Sequence, residues 1–209
     1  MEVLDLKPII GKKIFVFLIR KENGTLDHNE ELILANVLQT YHIKFATINI
    51  ESDEIKGFKH TDMAKFLNDF MVPCYTVGIP EYAKGYLDSE ISEKKEQAIE
   101  LEAEYKAMKD KQSFKAQNLK SWIALLFDEI KEKEEFMRNE LTSQWIAKKI
   151  TDILRYYDDE TIYTVHFAPA QSLLQLRQIF KELGMYVISG EIGEKLLTPF
   201  PLNENLEAS

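Results

Sequence analysis

Two side chains in this sequence stand where parallel α/β proteins do chemistry. His166 lies near the end of an apolar run at residues 161–167 (TIYTVHF), and Glu51 directly follows another run at 45–50 (FATINI). An imidazole at a strand end can ligate a metal or move a proton near neutral pH. A carboxylate there can act as a general base or bind a hard cation. Each residue also has a structural reading: His166 as a core histidine bonded to a backbone carbonyl, Glu51 as a charged loop residue or helix cap. Ligands of open parallel sheets bind beyond the carboxyl ends of the strands. The residues expected there are Arg20, Lys21, Glu22 and Asn23 after the first strand, and Glu51, Asp53 and Glu54 after the second. Glu81 and Tyr82 follow the third, and Ala168 and Pro169 follow His166.

Other chemistry finds little footing. The group ESDE at 51–54 holds three carboxylates but lacks the glycine and spacing of an EF-hand loop. His28, His42 and His60 make no HExxH or HxxxH pair, and a single cysteine, Cys74, rules out a thiolate zinc cluster. No GxGxxG or GxxxxGK[ST] follows a strand, and there is no GxSxG elbow. Cys74 reads as a small buried hydrophobe rather than a nucleophile. No metal and no cofactor are expected.

The elements that must position these residues follow from periodicity. Residues 13–20 (KIFVFLIR) are a nearly continuous apolar run of strand length, so a buried strand is expected. A helix over 27–41 has Asp27 as N-cap and Leu32, Ile33, Ala35, Val37 and Leu38 as its apolar side. The second strand, 45–50, alternates apolar and polar, which predicts one less buried face. A polar loop at 51–59 precedes a short helix ending near Phe70, and a third strand runs over 74–79. Strands alternating with single helices predict a parallel sheet.

From 81 to about 157 no strand signal occurs. Leu87, Ile91, Ala98, Leu101, Tyr105 and Met108 step by three and four if Lys94 fills one gap, a heptad seam over roughly three repeats. KDKQS at 109–113 breaks it, and a second helix carries Leu119, Trp122, Ile123, Leu126, Ile130 and Met137. The expectation is an antiparallel helical hairpin with arms of ~24 residues, ~36 Å each. Its seam either closes on itself or serves dimerisation or a partner helix. A further helix at 143–157 either continues the second arm or follows a kink near Leu141 and Thr142. Then come the strand at 161–167, an amphipathic helix at 171–183 with Leu173, Leu174, Leu176, Ile179, Phe180 and Leu183 inward, Gly184 as C′ residue, and a strand at 185–189. The fold class is α/β, with about five mostly parallel strands flanked by helices and the hairpin inserted between strands three and four. The expected divisions are 1–80 and 142–193 as two halves of the α/β domain, 81–141 as the hairpin, and 194–209 as a tail.

Composition bounds the partners. The chain has 209 residues and a net charge of -9, with 26 basic against 35 acidic residues. That balance argues against phosphate-neutralising nucleic-acid binding and against an anionic membrane surface. No run approaches the ~20 apolar residues of a membrane span, and MEVLDLKPIIGKK is not a secretory signal. One cysteine fits a reducing compartment, so a cytoplasmic protein is expected.

From Arg138 onward the pattern resembles a known family. Arg138-Asn139, then Ile146-Ala147-Lys148-Lys149-Ile150, then a strand, a helix and Leu183-Gly184-Met185-Tyr186-Val187 follow the order of the C-terminal part of the TraB superfamily. That group takes in the PrgY, GumN and TIKI proteins and, more distantly, ChaN and erythromycin-esterase-like proteins. The similarity covers roughly the last 70 residues, with Glu51 resembling the family's strand-end glutamate. The family is proposed to hydrolyse through a metal held by Gly-x-x-His-type motifs, and here this chain departs from it. Ile19-Arg20-Lys21-Glu22 holds no Gly-His pair, and Pro169 stands at the second motif's histidine, with His166 only its neighbour. The resemblance therefore implies a TraB-like fold without the usual metal site, acting as a ligand-binding or regulatory module. Arg20, Glu51, Arg138, Asn139 and His166 would line a pocket for a small polar or anionic ligand, with Arg138 holding a carboxylate or phosphate in a bidentate grip. Two other readings stay open. One is a protein-interaction or homodimerisation module that uses the hairpin, and the other is a hydrolase with a non-standard site on Glu51 and His166.

Overall fold

A computed structural model describes residues 4–21, 25–50 and 54–191. The strands are β1 (Lys13–Arg20), β2 (Phe45–Ile48), β3 (Cys74–Thr76), β4 (Thr161–Ala168) and β5 (Tyr186–Glu191). They form one sheet in the order β3-β2-β4-β1-β5, and every neighbouring pair is parallel. β1 is interior, so its six central residues are all buried, as expected for a strand covered on both faces.

The chain divides into two compact units, Met1–Ile79 with Ser143–Ser209, and Pro80–Thr142. In the first, successive strand residues point to opposite faces and build two cores. On one face Phe17, Ile19, Ala46, Ile48, Val165 and Phe167 pack with α1 (His28–Thr40) and α3 (Asp62–Asp69) through Leu34, Val37, Leu38, Met63 and Leu67. On the other, Val16, Leu18, Phe45 and Ile162 pack with α6 (Thr142–Leu154) and α7 (Ala170–Glu182) through Ile146, Ile150, Leu154, Leu176 and Phe180. Helices that leave β1 and β2 thus lie on one face, and the helix that leaves β4 on the other.

Local chemistry sets the helix ends. Asp27 accepts from the Glu30 amide at 2.8 Å while the Glu30 carboxylate accepts from the Asp27 amide at 2.8 Å, a complete capping box for α1. Thr61 caps α3 by accepting from Ala64 N. At the carboxyl end of α6, Lys12 donates to the carbonyls of Leu154 and Tyr157, which suits the negative end of a helix.

Several expectations need correction. β2 has no wet face: all four residues are buried, Thr47 included, because helices cover both sides of the sheet. On α1 Val37 and Leu38 are buried as expected, but Leu34 is fully buried in place of Leu32, which is 58% exposed. Leu174 of α7 does not point inward and is 80% exposed. The polar loop before α3 contains a short helix, α2 (Ile55–Phe58). β3 and β2 stop short of the expected ends, at Thr76 and Ile48.

Between β3 and β4 lie α4 (Glu81–Ala107) and α5 (Phe114–Glu135). They share a small core of Ile91, Ala98, Leu126 and Ile130, flanked by Leu101 and Met137. Lys94, the polar residue in the apolar seam, pairs with Glu129. The hydrogen bond between them raises the lysine pKa and lowers the carboxylate pKa. Glu90–Lys133 at 2.8 Å, Lys95–Glu134 at 2.6 Å and Glu104–Lys115 at 2.8 Å join the same two helices. Trp122, expected in the seam, is 59% exposed. The helical run does not break near Leu141. It passes from α5 through a π-helical segment, Phe136–Leu141, directly into α6, and Thr142 Oγ1 donates to the Met137 carbonyl at 2.9 Å. Among the described residues no helix is long and apolar enough to cross a membrane.

Candidate functional site

His166 sits in the central strand, beside Leu18 of β1 and Thr47 of β2 in register. It is fully buried. Its Nδ1 lies 2.9 Å from Thr47 Oγ1, and that hydroxyl is also 3.3 Å from the Val165 carbonyl. A hydroxyl has one proton to give. Given to the carbonyl, it leaves Oγ1 to accept from Nδ1–H; given to Nδ1, it puts the imidazole proton on Nε2. In both arrangements Nε2 is buried with no partner among the described residues. Burial pushes the imidazole pKa down to about 3, against a smaller upward pull from the hydrogen bond to Thr47. His166 is therefore neutral and sealed from solvent. Ser143 Oγ, on α6, is also buried without a partner among the described residues.

The carboxyl end of β1 is already occupied by structure. Lys21 reaches both carboxylate oxygens of Glu30, at 2.6 and 2.8 Å, and the two side chains are only 12% and 13% exposed. This pair ties the β1–α1 turn to the first turn of α1. Lys21 is thus a structural cation.

Arg20 has a different setting. With Ala170, Leu173, Leu174, Arg177, Ser189 and Gly190 it lines a cleft of about 390 Å3 at the carboxyl ends of β1 and β5. Arg20 makes a contact of its own, and Glu191 stands beside it in the strand register. Arg177 is the residue that sequence reasoning missed. Its Nε is buried and has no acceptor among the described residues. The α7 wall of the cleft is a single stripe, Ala170, Leu173, Leu174 and Arg177, at spacings of three, four and seven. Pro169 precedes α7 as N-cap and supplies no side-chain hydrogen bond, and Ala170, the first helical residue, makes a contact of its own.

A second cleft, of about 610 Å3, lies along the β3 edge and includes Lys59, Lys65, Cys74 and Tyr75. Burial raises the Cys74 thiol pKa to about 12, which removes the thiolate that nucleophilic chemistry needs.

Of the expected site residues, Arg20 lines the cleft beside α7 and His166 lies in the sheet interior. Arg138, exposed, and Asn139, half-buried, belong to the π-helical segment in the other unit. Glu51 lies outside the described residues, as do Asp53, Glu22 and Asn23. Glu54 flanks α2, and Glu81 and Tyr82 open α4. Among the described residues no three His, Cys, Asp or Glu side chains group as a metal site. No protein-family model, curated protein or solved structure matches the chain.

Proposed function

We propose that this chain is a binding module, not a catalyst, and that it takes a small anion in the cleft between α7 and the carboxyl ends of β1 and β5. The observation that carries this reading is Arg177, a guanidinium on the cleft wall whose buried Nε has no acceptor among the described residues. A buried donor without a partner costs about 1–3 kcal/mol, and an anionic oxygen of a ligand relieves that cost. Arg20 lines the same cleft, in a chain of net charge -9. Hydrolysis is the weaker reading, because His166 is neutral and enclosed and Cys74 is protonated. A TraB-like ancestry with a lost metal site fits the same proposal, since Pro169, at the family's histidine position, here starts the helix that borders the cleft. The test is calorimetric titration of orthophosphate and phosphate monoesters into the intact protein and into Arg177→Ala. Binding that weakens at least tenfold in the variant supports the reading. Heat signals identical in the two proteins overturn it.

One observation favours a second reading, an interaction role for the α4–α5 pair. Phe114, Trp122 and Leu125 on α5 are all exposed. Glu90–Lys133, Lys94–Glu129 and Glu104–Lys115 advance along α4 while they step back along α5, which supports an antiparallel hairpin. Light scattering over a concentration series tests self-association through it. A strictly monomeric protein counts against a homodimer.

A further inference from the structure

Resting on the anion reading above, we infer that the ligand is amphipathic: a phosphate monoester or carboxylate head on a short hydrocarbon or aromatic body. The argument comes from the second apolar side of α7. Leu176, Ile179 and Phe180 already supply the buried face that holds the helix to the sheet. Leu173 packs partly against that core and also lines the cleft with Ala170 and Leu174, and Leu174 is 80% exposed. A single exposed leucine needs no explanation. Here the leucines share one stripe and one cleft with a buried guanidinium nitrogen, and that combination is the composition of a small-molecule site, apolar walls with a few polar anchors.

The polar and apolar parts are also separated. Arg177 lines the cleft with its Nε buried, and Leu174 is exposed on the same helix. The facing wall, Ser189 and Gly190 of β5, is half-buried backbone with almost no side chain to obstruct it. The anionic head therefore sits inward at Arg177, and the hydrocarbon body lies outward across Leu173 and Leu174. Inorganic phosphate would satisfy the first feature and leave the second unused.

The experiment is a titration of the full chain with inorganic phosphate and with ethyl, butyl and hexyl phosphate, with hexanol as the uncharged control. Affinity is expected to rise along the series, by roughly two- to fourfold per added methylene while the chain remains over the leucines. Leu174→Ser, a change at an exposed position, should flatten that rise. Arg177→Ala should weaken every phosphate ester by a similar factor. Equal affinity for inorganic and hexyl phosphate overturns the amphipathic ligand and leaves the anion reading standing. Hexanol binding as tightly as hexyl phosphate overturns the anion reading. No binding by any of the four phosphates overturns both.

Discussion

Nδ1 of His166 and Oγ1 of Thr47 lie 2.9 Å apart, and this contact joins β4 to β2 through side chains as well as backbone. It fixes the imidazole in a place where charging it is costly. The pKa falls to about 3 because of burial, whereas the unfolded chain's histidine titrates near 6.5. The folded state therefore binds fewer protons than the unfolded state between those values, and folding stability must fall as pH drops through that window.

The first prediction follows from that sign. Between pH 7 and pH 5, His166 alone should remove about 2 kcal/mol of stability, with a limiting slope of about 1.4 kcal/mol per pH unit. Urea unfolding at a series of pH values measures this. In His166→Leu the contribution should vanish, and the variant should fold at pH 7, because Thr47 keeps the Val165 carbonyl as its acceptor. A variant with the same acid sensitivity as the parent would refute the assignment.

Arg177 should trade stability for binding. Replacing it with Met removes a buried donor that lacks a partner, so the ligand-free variant should melt at the same temperature as the parent or higher. The thermal shift that the parent gains from phosphate monoesters should disappear. A large loss of ligand-free stability would show that Arg177 holds the fold instead.

Lys21 and Glu30 form the most enclosed ion pair among the described pairs. Glu30→Gln leaves an ammonium group with little solvent and should cost about 2–3 kcal/mol. A double-mutant cycle with Lys21→Met isolates the coupling, which should exceed the ~0.5 kcal/mol of a surface pair.

Cys74 should be inert while the protein is folded. A thiol pKa raised from 9.0 to about 12 lowers the thiolate fraction by about a thousandfold. Alkylation followed by mass spectrometry should label it far more slowly than an unperturbed thiol, although it lines a cleft.

Within the α4–α5 pair, Ile130→Ala should cost about 2–4 kcal/mol of that unit's stability because Ile130 belongs to its buried core. Trp122→Ser should cost less than about 0.5 kcal/mol. Circular dichroism during thermal unfolding separates the two.

The strands were legible where periodicity and covering agreed. KIFVFLIR is apolar between its charged ends because β1 is interior and helices cover both faces, and sequence reading placed it at its observed bounds. FATI misled for the same reason. Its alternation suggested a wet face, but Thr47 satisfies its hydroxyl within the sheet, through Val165 and His166. That partnership depends on β4 lying next to β2, and no local pattern encodes strand order. Leu32 and Leu34 of α1 are not separable by pattern, because the run LILA at 32–35 supports two adjacent helical faces. The cleft was half visible. Arg20 was marked by its place after β1, while Arg177 looked like one charge on an amphipathic helix. The signal that could have found it is the stripe Ala170, Leu173, Leu174, Arg177, which gives α7 an apolar side beyond its core face. The π-helical turn at Phe136–Leu141 had no compositional sign at all.

The strand order has a consequence for the newborn chain. β1 and β2 follow one another in sequence but are not neighbours, because β4 lies between them, and the partners of β1 are β4 and β5. Until residue 168 has been made, the most continuously apolar segment of the protein has no strand to lie against, and only β2 and β3 can pair. At ribosomal speeds of 5–20 residues per second, the interval from residue 20 to residue 168 is about 7 to 30 s. For that time KIFVFLIR is a sticky ribbon in a growing chain, covered at most by α1 and α3 on one face and, once α6 is made, by that helix on the other, and therefore a natural client for chaperones. The last third of the polypeptide supplies the wedge that turns two separate fragments of sheet into one.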